Sequence, residues 1–252
     1  MSSSPAFVAS DIHLGTGRPE RAAAFCQWLE FVAARSRHLI LNGDIFDFWF
    51  EYESVIPRGH TRTLGLLAKM VDSGIRVDFV GGNHDWWGGS YLEEEVGVQF
   101  HRQPVRLEVA GARALVAHGD GLGPGDRGYR VLSSVLRNRL ACWAFRWVHP
   151  DLGARVARFV SRTDRRPSVV EDGSPALALR APILERWARE ELLADPELDL
   201  VLLGHTHTPV KREVAPGRFY LNSGDWLHHR TFLELREGSA PQLLIWSDPS
   251  GS

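Results

Sequence analysis

Long apolar runs are missing from this 252-residue chain: no stretch reaches the roughly 18 apolar residues that a membrane span requires. Cysteine is scarce. The two present, Cys26 and Cys142, lie far apart and form no CxxC pair, which excludes a disulfide framework and a thiolate zinc site. An excess of basic charge is absent too. With 29 Lys and Arg against 31 Asp and Glu, the net charge is −2, so a broadly basic nucleic-acid binder is excluded and only a local patch stays open. The opening Met1-Ser2-Ser3-Ser4-Pro5-Ala6 has no basic n-region and no apolar h-region. No signal peptide is therefore expected, and the expected compartment is the reducing cytoplasm. Internal repeats and low-complexity linkers are also lacking. The chain reads as one α/β domain over residues 1–252.

What is present is a series of short, β-branched apolar runs that each end in polar side chains. Ala6–Ser10 runs into Asp11-Ile12-His13, and His38–Leu41 into Asn42-Gly43-Asp44. Val77–Val80 runs into Gly81-Gly82-Asn83-His84-Asp85. Helical periodicity over Arg21–Ala34 and Thr61–Asp72 separates them, so the first third predicts β-α-β-α-β with a parallel sheet and chemistry at the carboxyl ends of its strands. Val105–Ala110 and Arg113–Ala117 flank Gly111 as a hairpin whose second arm ends at His118. A helix over Ala176–Leu193 precedes the buried run Leu198–Leu203, which ends in Gly204-His205-Thr206-His207. Four short strands follow, near Val210–Val214, Arg218–Leu221, Thr231–Leu235 and Gln242–Trp246.

Asp11-x-His13 and His205-x-His207 each place two side chains on one side of an extended segment. Together with Asp44, Asn83 and His118 they make seven candidate ligands, too many for one tetrahedral site and suited to two ions sharing a carboxylate. Such a pair activates a water and holds phosphoryl oxygens for in-line displacement. Mixed imidazole and carboxylate donors favour Mn, Fe, Zn or Ni over Mg or Ca.

These motifs, Asp11-x-His13, Gly43-Asp44-x-x-Asp47, Gly82-Asn83-His84-Asp85, His118 and Gly204-His205-x-His207, resemble the calcineurin-like metallophosphoesterase family over about residues 6–225. The resemblance implies a four-layer α/β/β/α sandwich and two divalent ions, with Mn²⁺ expected ahead of Fe, Zn or Ni. It implies that Asp11, His13, Asp44 and His207 hold one ion and that Asp44, Asn83, His118 and His205 hold the other. His84 would then be the general acid or electrostatic stabiliser, with Asp85 orienting its ring. Asp47 is either a support behind the ligands or a helix cap.

His118-Gly119-Asp120-Gly121-Leu122 and Gly224-Asp225-Trp226 further resemble the branch of that family that hydrolyses UDP-2,3-diacylglucosamine in lipid A biosynthesis. By that resemblance a helical lid at about 128–166 covers the site, and Asp126, Tyr129, Arg158, Ser161 and Arg165 contact the nucleotide sugar. Many members of the branch carry Arg where this chain has His84. The lid segment from Val131 to Arg166 holds eight Arg against two Asp, interleaved with bulky apolar residues. It reads as core-packed helices with solvated arginines, as an apolar slot with a basic rim for acyl tails at a membrane surface, or as a nucleic-acid channel. The motifs around it favour the lipid reading, so the expected partners are a lipid-linked nucleotide sugar and the cytoplasmic face of the inner membrane, held peripherally, with no nucleic acid. Trp86 and Trp87 either wall the site or pack in the core. His60, His101, His149, His228 and His229 are expected to be ordinary loop or surface histidines, with His228 alone close enough to Gly224-Asp225-Trp226 to approach the site. Two competitors remain: a phosphoesterase of soluble nucleotides, nucleic acid or phosphoprotein, and a scaffold without activity, which the complete ligand set argues against.

Overall fold

The structure, a computed structural model, describes residues 4–15, 19–153, 155 and 175–247. Two sheets stack face to face. The first has the strand order β11-β10-β1-β2-β3-β4, from Ala6–Ala9 (β1), His38–Asn42 (β2), Arg76–Val80 (β3), Gln99–His101 (β4), Thr231–Leu235 (β10) and Gln242–Ile245 (β11). The second runs β5-β6-β7-β9-β8, from Val105–Val109 (β5), Ala112–Val116 (β6), Leu200–Leu203 (β7), Val210–Ala215 (β8) and Arg218–Asn222 (β9). β1 to β4 pair in parallel, as the β-α-β-α-β reading expects, and β6, β7 and β9 are parallel in the second sheet.

Side-chain alternation explains the layering. On β1, Phe7 and Ala9 face the helices Pro19–Ala33 (α1) and Thr61–Asp72 (α2), packing with Phe25, Trp28 and Leu67. Ala6 and Val8 face the other way, onto Val109, Val116, Leu202 and Leu221 of the second sheet. The far side of that sheet is covered by Leu184, Ala188 and Leu192 of Pro175–Ala194 (α5). The result is the α/β/β/α sandwich. The central strands are apolar throughout because both of their faces are covered.

The segment expected to form the lid breaks at Asn138, whose side chain accepts the N–H of Leu140 at 2.8 Å and caps a new helix. Arg127–Leu136 (α3) and Arg139–Arg146 (α4) result, and neither buries a single residue. The core-packed reading of this segment is therefore wrong for its described part. Two elements went unread in the sequence, the three-residue β4 and a π-helical turn at Tyr91–Glu95, both too short to develop a period.

Asp78 interrupts the apolar pattern of β3 and is wholly buried. A buried carboxylate needs partners, and it has three. His38 Nε2 and Arg76 Nε each donate to Oδ2 at 2.7 Å, and His101 Nε2 donates to Oδ1 at 2.7 Å. His101 is thus no ordinary surface residue. Nor is His60, which is buried against Phe46 at 4.6 Å between ring centroids, with burial pushing its imidazole down to about 4. Burial raises the Asp78 carboxyl, but His101, His38 and Arg76 outweigh that and hold it well below the usual carboxylate range. Asp78→Ala is expected to destabilise the fold by about 2–3 kcal/mol, since its partners sit at a rim where water reaches them. That corresponds to a Tm lower by roughly 5–10 °C, checked by thermal unfolding. A depressed carboxylate stabilises above its unfolded pKa of about 3.9 and loses that effect as pH falls through its folded value, so wild type and variant should converge in strong acid.

Candidate metal centre

The carboxyl ends of β1, β2, β3, β6, β7 and β9 converge on one edge of the sandwich. Of the seven non-glycine residues with positive φ among those described, five are Asp11, His13, Asp44, His205 and His207, at φ between 50° and 66°. Left-handed backbone is costly for residues with a Cβ and concentrates at functional sites. Here it turns each strand end sharply enough to aim its side chain across the edge.

Neighbouring glycines leave the room. A Cβ on Gly43 would overlap the His118 ring, and one on Gly82 would overlap the Asp44 carboxylate. Asn42 then ties the two sheets together beneath the site, donating from Nδ2 to Ala117 O at 3.0 Å and Leu202 O at 3.3 Å.

Three sets of donor atoms each lie within 4.8 Å of one another: Asp11, His13 and His207; Asp44, His118 and His205; and His13, Asp44 and His84. His207 Nε2 is 3.3 Å from Asp11 Oδ1 and 3.4 Å from His13 Nε2. His118 donates from Nδ1 to Asn42 O at 2.9 Å, which turns its Nε2 inward to 3.2 Å from Asp44 Oδ2. His118 Nε2 and Asn83 Oδ1 are buried with no hydrogen-bond partner among the described residues. Buried polar atoms are rarely left so, and a cation satisfies both. The donor set fits two divalent ions, and Asp44 stands between the two groups. Burial raises the Asp44 carboxyl, but His118, His84 and His13 prevail and hold it well below its ordinary range. His205 is pushed down to about 4 by burial and the neighbouring His118.

His84 sits beside the donors, its backbone held by Asp44 and its ring by Asp47. Its backbone N–H donates to Asp44 Oδ1 at 2.9 Å and its Nδ1 to Asp47 O at 2.6 Å, which leaves Nε2 facing the site, 3.9 Å from Asp44 Oδ2. Burial works against protonation of the ring, but the Asp44 charge and the Asp47 carbonyl raise it above its usual value. Asp47 is therefore a support and not a helix cap; its carboxylate also lies 3.8 Å from His13 Nδ1.

One role implied by the family resemblance needs correction: Asp85 does not orient the His84 ring. Its carboxylate accepts backbone N–H groups from Gly82 at 2.7 Å, Ile45 at 2.7 Å and Asp44 at 3.2 Å, fastening the loop after β3 to the loop after β2. The Asp47 carbonyl holds the ring instead.

Among the expected substrate contacts, Tyr129 donates its hydroxyl to Asp120 at 2.7 Å and Asp126 lies 3.6 Å from Arg180. Arg158, Ser161 and Arg165 fall outside the described residues. Asp225 received no role from the sequence. It is buried behind His207, its Oδ2 3.4 Å from Nδ1, and it accepts the N–H groups of His228 at 2.8 Å and His229 at 3.0 Å. A carboxylate on the outer nitrogen of a ligating His fixes its tautomer. The acidic residue in Gly224-Asp225-Trp226 was the available signal. Trp86 and Trp87 are half-buried and line a groove beside the site, not the core.

Comparison with known proteins agrees with this geometry. Residues 5–209 match the model of the calcineurin-like phosphoesterase family. The UDP-2,3-diacylglucosamine hydrolase of Porphyromonas gingivalis is 31% identical over 243 residues, covering 90% of this chain and 92% of that protein. The enzyme of the same name from Ralstonia nicotianae is 30% identical over 243 residues, covering 94% and 91%. The convergent strand ends and the match over most of the chain lead to one conclusion: this chain belongs to the calcineurin-like phosphoesterases, metal-dependent hydrolases of phosphoric esters.

Proposed function

We propose that the chain hydrolyses the pyrophosphate bond of UDP-2,3-diacylglucosamine, releasing UMP and 2,3-diacylglucosamine 1-phosphate. The observation that carries this reading is an uncovered apolar surface beside a complete donor set. On α3, Val131, Leu132 and Val135 are 66%, 51% and 59% exposed, and on or just after α4, Leu140 and Trp147 are 76% and 77% exposed. Amphipathic helices that cover no core of their own suit acyl chains. The names of the relatives at about 30% identity support the same substrate.

In this reading Asp11, His13, Asp44 and His207 hold one ion, and Asp44, Asn83, His118 and His205 the other, with Mn²⁺ the expected metal. The bound ions supply charge neutralisation of the phosphoryl oxygens and an activated water. The rest falls to the chain. His84, held by the Asp47 carbonyl, presents a protonated Nε2 to the phosphoryl group. Asp85 keeps the two ligand loops in register, and Asp225 and the Asn42 carbonyl fix the rings of His207 and His118. No described helix is long and apolar enough to cross a membrane. In this reading attachment is peripheral, through Trp147 and the flanking arginines, and it should weaken as salt rises, because exposed charges are screened beyond about 8 Å at physiological ionic strength.

Leu132→Asp with Val135→Asp tests the substrate. Leaving two methylenes unburied costs about 1.6 kcal/mol, so turnover of UDP-2,3-diacylglucosamine should fall at least about ten-fold. Hydrolysis of bis(4-nitrophenyl) phosphate, which reaches the metals without touching α3, should change little. Equal loss on both substrates would make this surface an ordinary structural one. His84, where many members of the lipid branch have Arg, favours a second reading as a phosphoesterase of soluble nucleotides. Good turnover of those by wild type, with none of the lipid nucleotide, would select it.

A further inference from the structure

Little holds α3 in place. Of its ten residues only Tyr129 and Ser133 are even partly buried. A helix that short is marginal alone in water, where about 12–15 residues are needed, so neither burial nor propensity accounts for it. Its neighbour α4 has an apolar anchor, the Phe145 ring packed 4.6 Å from that of Phe50. The entry to α3 does not fix its direction either. Within residues 119–125, Gly119, Gly121, Gly123 and Gly125 all have φ between 70° and 122°, a strap that swings at low cost. Arg180 of α5 pins this strap, donating to Pro124 O at 2.9 Å and to Leu122 O. Arg130 of α3 only folds back onto it, donating to Gly123 O at 2.9 Å.

One carboxylate ties both ends of the helix to the body. Asp120 Oδ2 accepts the Tyr129 hydroxyl at 2.7 Å and Arg137 Nη2 at 2.8 Å. Tyr129 lies in the first turn of α3 and Arg137 directly follows its last residue, so the two ends converge on one oxygen. The Asp120 side chain is only 8% exposed, which makes these charge-assisted bonds stronger than surface ones. Two further contacts steady the carboxyl end: the Arg137 guanidinium lies 5.1 Å over the Trp86 ring, and Leu136 O accepts Trp87 Nε1 at 3.2 Å. All of these ties reach loops that carry the reaction centre. Asp120 is two residues beyond His118, and Trp86 two beyond His84.

We propose that Asp120 is a positioning residue for the reaction: through Tyr129 and Arg137 it latches α3, and with it Val131, Leu132 and Val135, to the metal centre. The functional half of this assignment rests on the reading of α3 as a substrate surface given above. The latch itself does not, because it follows from what holds a short uncovered helix. A role for Asp120 as a prop of the metal ligand beside it fits the contacts less well. The His118 ring has its own support in the Asn42 carbonyl at 2.9 Å, whereas the Asp120 bonds run outward to α3.

Amide hydrogen exchange over α3 in the Mn²⁺-loaded full chain reads docking without any substrate, since so short a helix frays once released. Arg137→Gln and Asp120→Asn should each speed that exchange by about ten-fold or more, the span of one hydrogen bond to a charged group, while α5 exchanges as in wild type. Arg137→Lys keeps a cationic donor and should restore most of the protection. The double variant should exchange no faster than the faster single one, because both remove the same tie. In Arg137→Gln, metal content and hydrolysis of bis(4-nitrophenyl) phosphate should stay within about two-fold of wild type. KM for UDP-2,3-diacylglucosamine should rise across the variants in the order of their exchange rates with kcat kept, because only molecules with α3 docked bind it. Unchanged α3 exchange in both single variants would overturn the proposal, and loss of a metal equivalent from Asp120→Asn in that case would make Asp120 a prop for His118. An unchanged KM in a variant whose α3 exchanges freely would overturn it too. If exchange responds as expected but wild type never hydrolyses UDP-2,3-diacylglucosamine, the latch stands and the proposed substrate falls.

Discussion

Asp44→Ala is expected to strip both ions from the protein and reduce phosphoester hydrolysis by about 10³–10⁵, the equivalent of several kcal/mol of metal-derived stabilisation at roughly 1.4 kcal/mol per decade. The geometry gives the reason. Asp44 Oδ2 is 3.2 Å from His118 Nε2, 4.0 Å from His13 Nε2 and 3.9 Å from His84 Nε2, so one carboxylate faces both ligand groups. Its Oδ1 accepts the His84 backbone N–H at 2.9 Å, so removal also loosens the loop that carries Asn83 and His84. Loss of an outer ligand should behave differently. His207→Ala takes a nitrogen from the group of Asp11 and His13 alone, and should leave about one equivalent of metal bound. Metal analysis of the purified variants together with turnover checks both expectations. Two tightly held ions and normal turnover in Asp44→Ala would remove Asp44 from the shared position.

The strand ends were legible because metal chemistry restricts residue type. Apolar runs that stop at Asp-x-His, Gly-Asp or Gly-His-x-His announce both a buried strand and the candidate ligand at its end, and the structure brings those ends to one edge. What sequence could not supply was the identity of hydrogen-bond partners. Asp85 stands beside His84 in the chain, which suggests that the two side chains meet. Its carboxylate instead turns to the N–H groups of Gly82 and Ile45, a choice set by backbone orientation in two loops 40 residues apart in sequence. Asp78 was legible in principle, since a carboxylate within Val77-Asp78-Phe79-Val80 must be paired once buried, but its partners His38 and His101 come from neighbouring strands and their register is not written locally. The pattern of α3 and α4 has the converse limit. Amphipathic periodicity shows that a helix has an apolar face and is silent on whether anything covers it. Only the fold reveals that Leu132 and Leu140 remain open, 51% and 76% exposed.

His84→Ala is expected to lower turnover by about 10²–10⁴, the usual span for an acid/base group, with both ions retained. The second half of that expectation decides the role. His84 Nε2 lies close enough to donors on His13 and Asp44 to complete a three-residue ligand group, so proximity alone does not separate an acid from a ligand. The metal content of the variant does. The Asp47 carbonyl, 2.6 Å from Nδ1, accepts that nitrogen's N–H and leaves Nε2 facing the site, while Asp44 raises the ring against the opposing effect of burial. With both nitrogens protonated the ring has no lone pair for a metal and offers an Nε2 proton to a phosphoryl oxygen, so this role requires that the metals stay bound without it. Loss of one equivalent of metal from His84→Ala would reverse this and place His84 among the ligands. His84→Arg separates the two ways a cation can act. A guanidinium stabilises developing phosphoryl charge but cannot release its proton, so appreciable activity in that variant means that charge is what the position supplies. A collapse as deep as that of His84→Ala, with both ions still bound, means that the proton itself is required. The pH dependence of kcat should then follow a single protonated group in wild type, falling as pH rises through the pKa of His84, and that limb should be absent in an active His84→Arg enzyme.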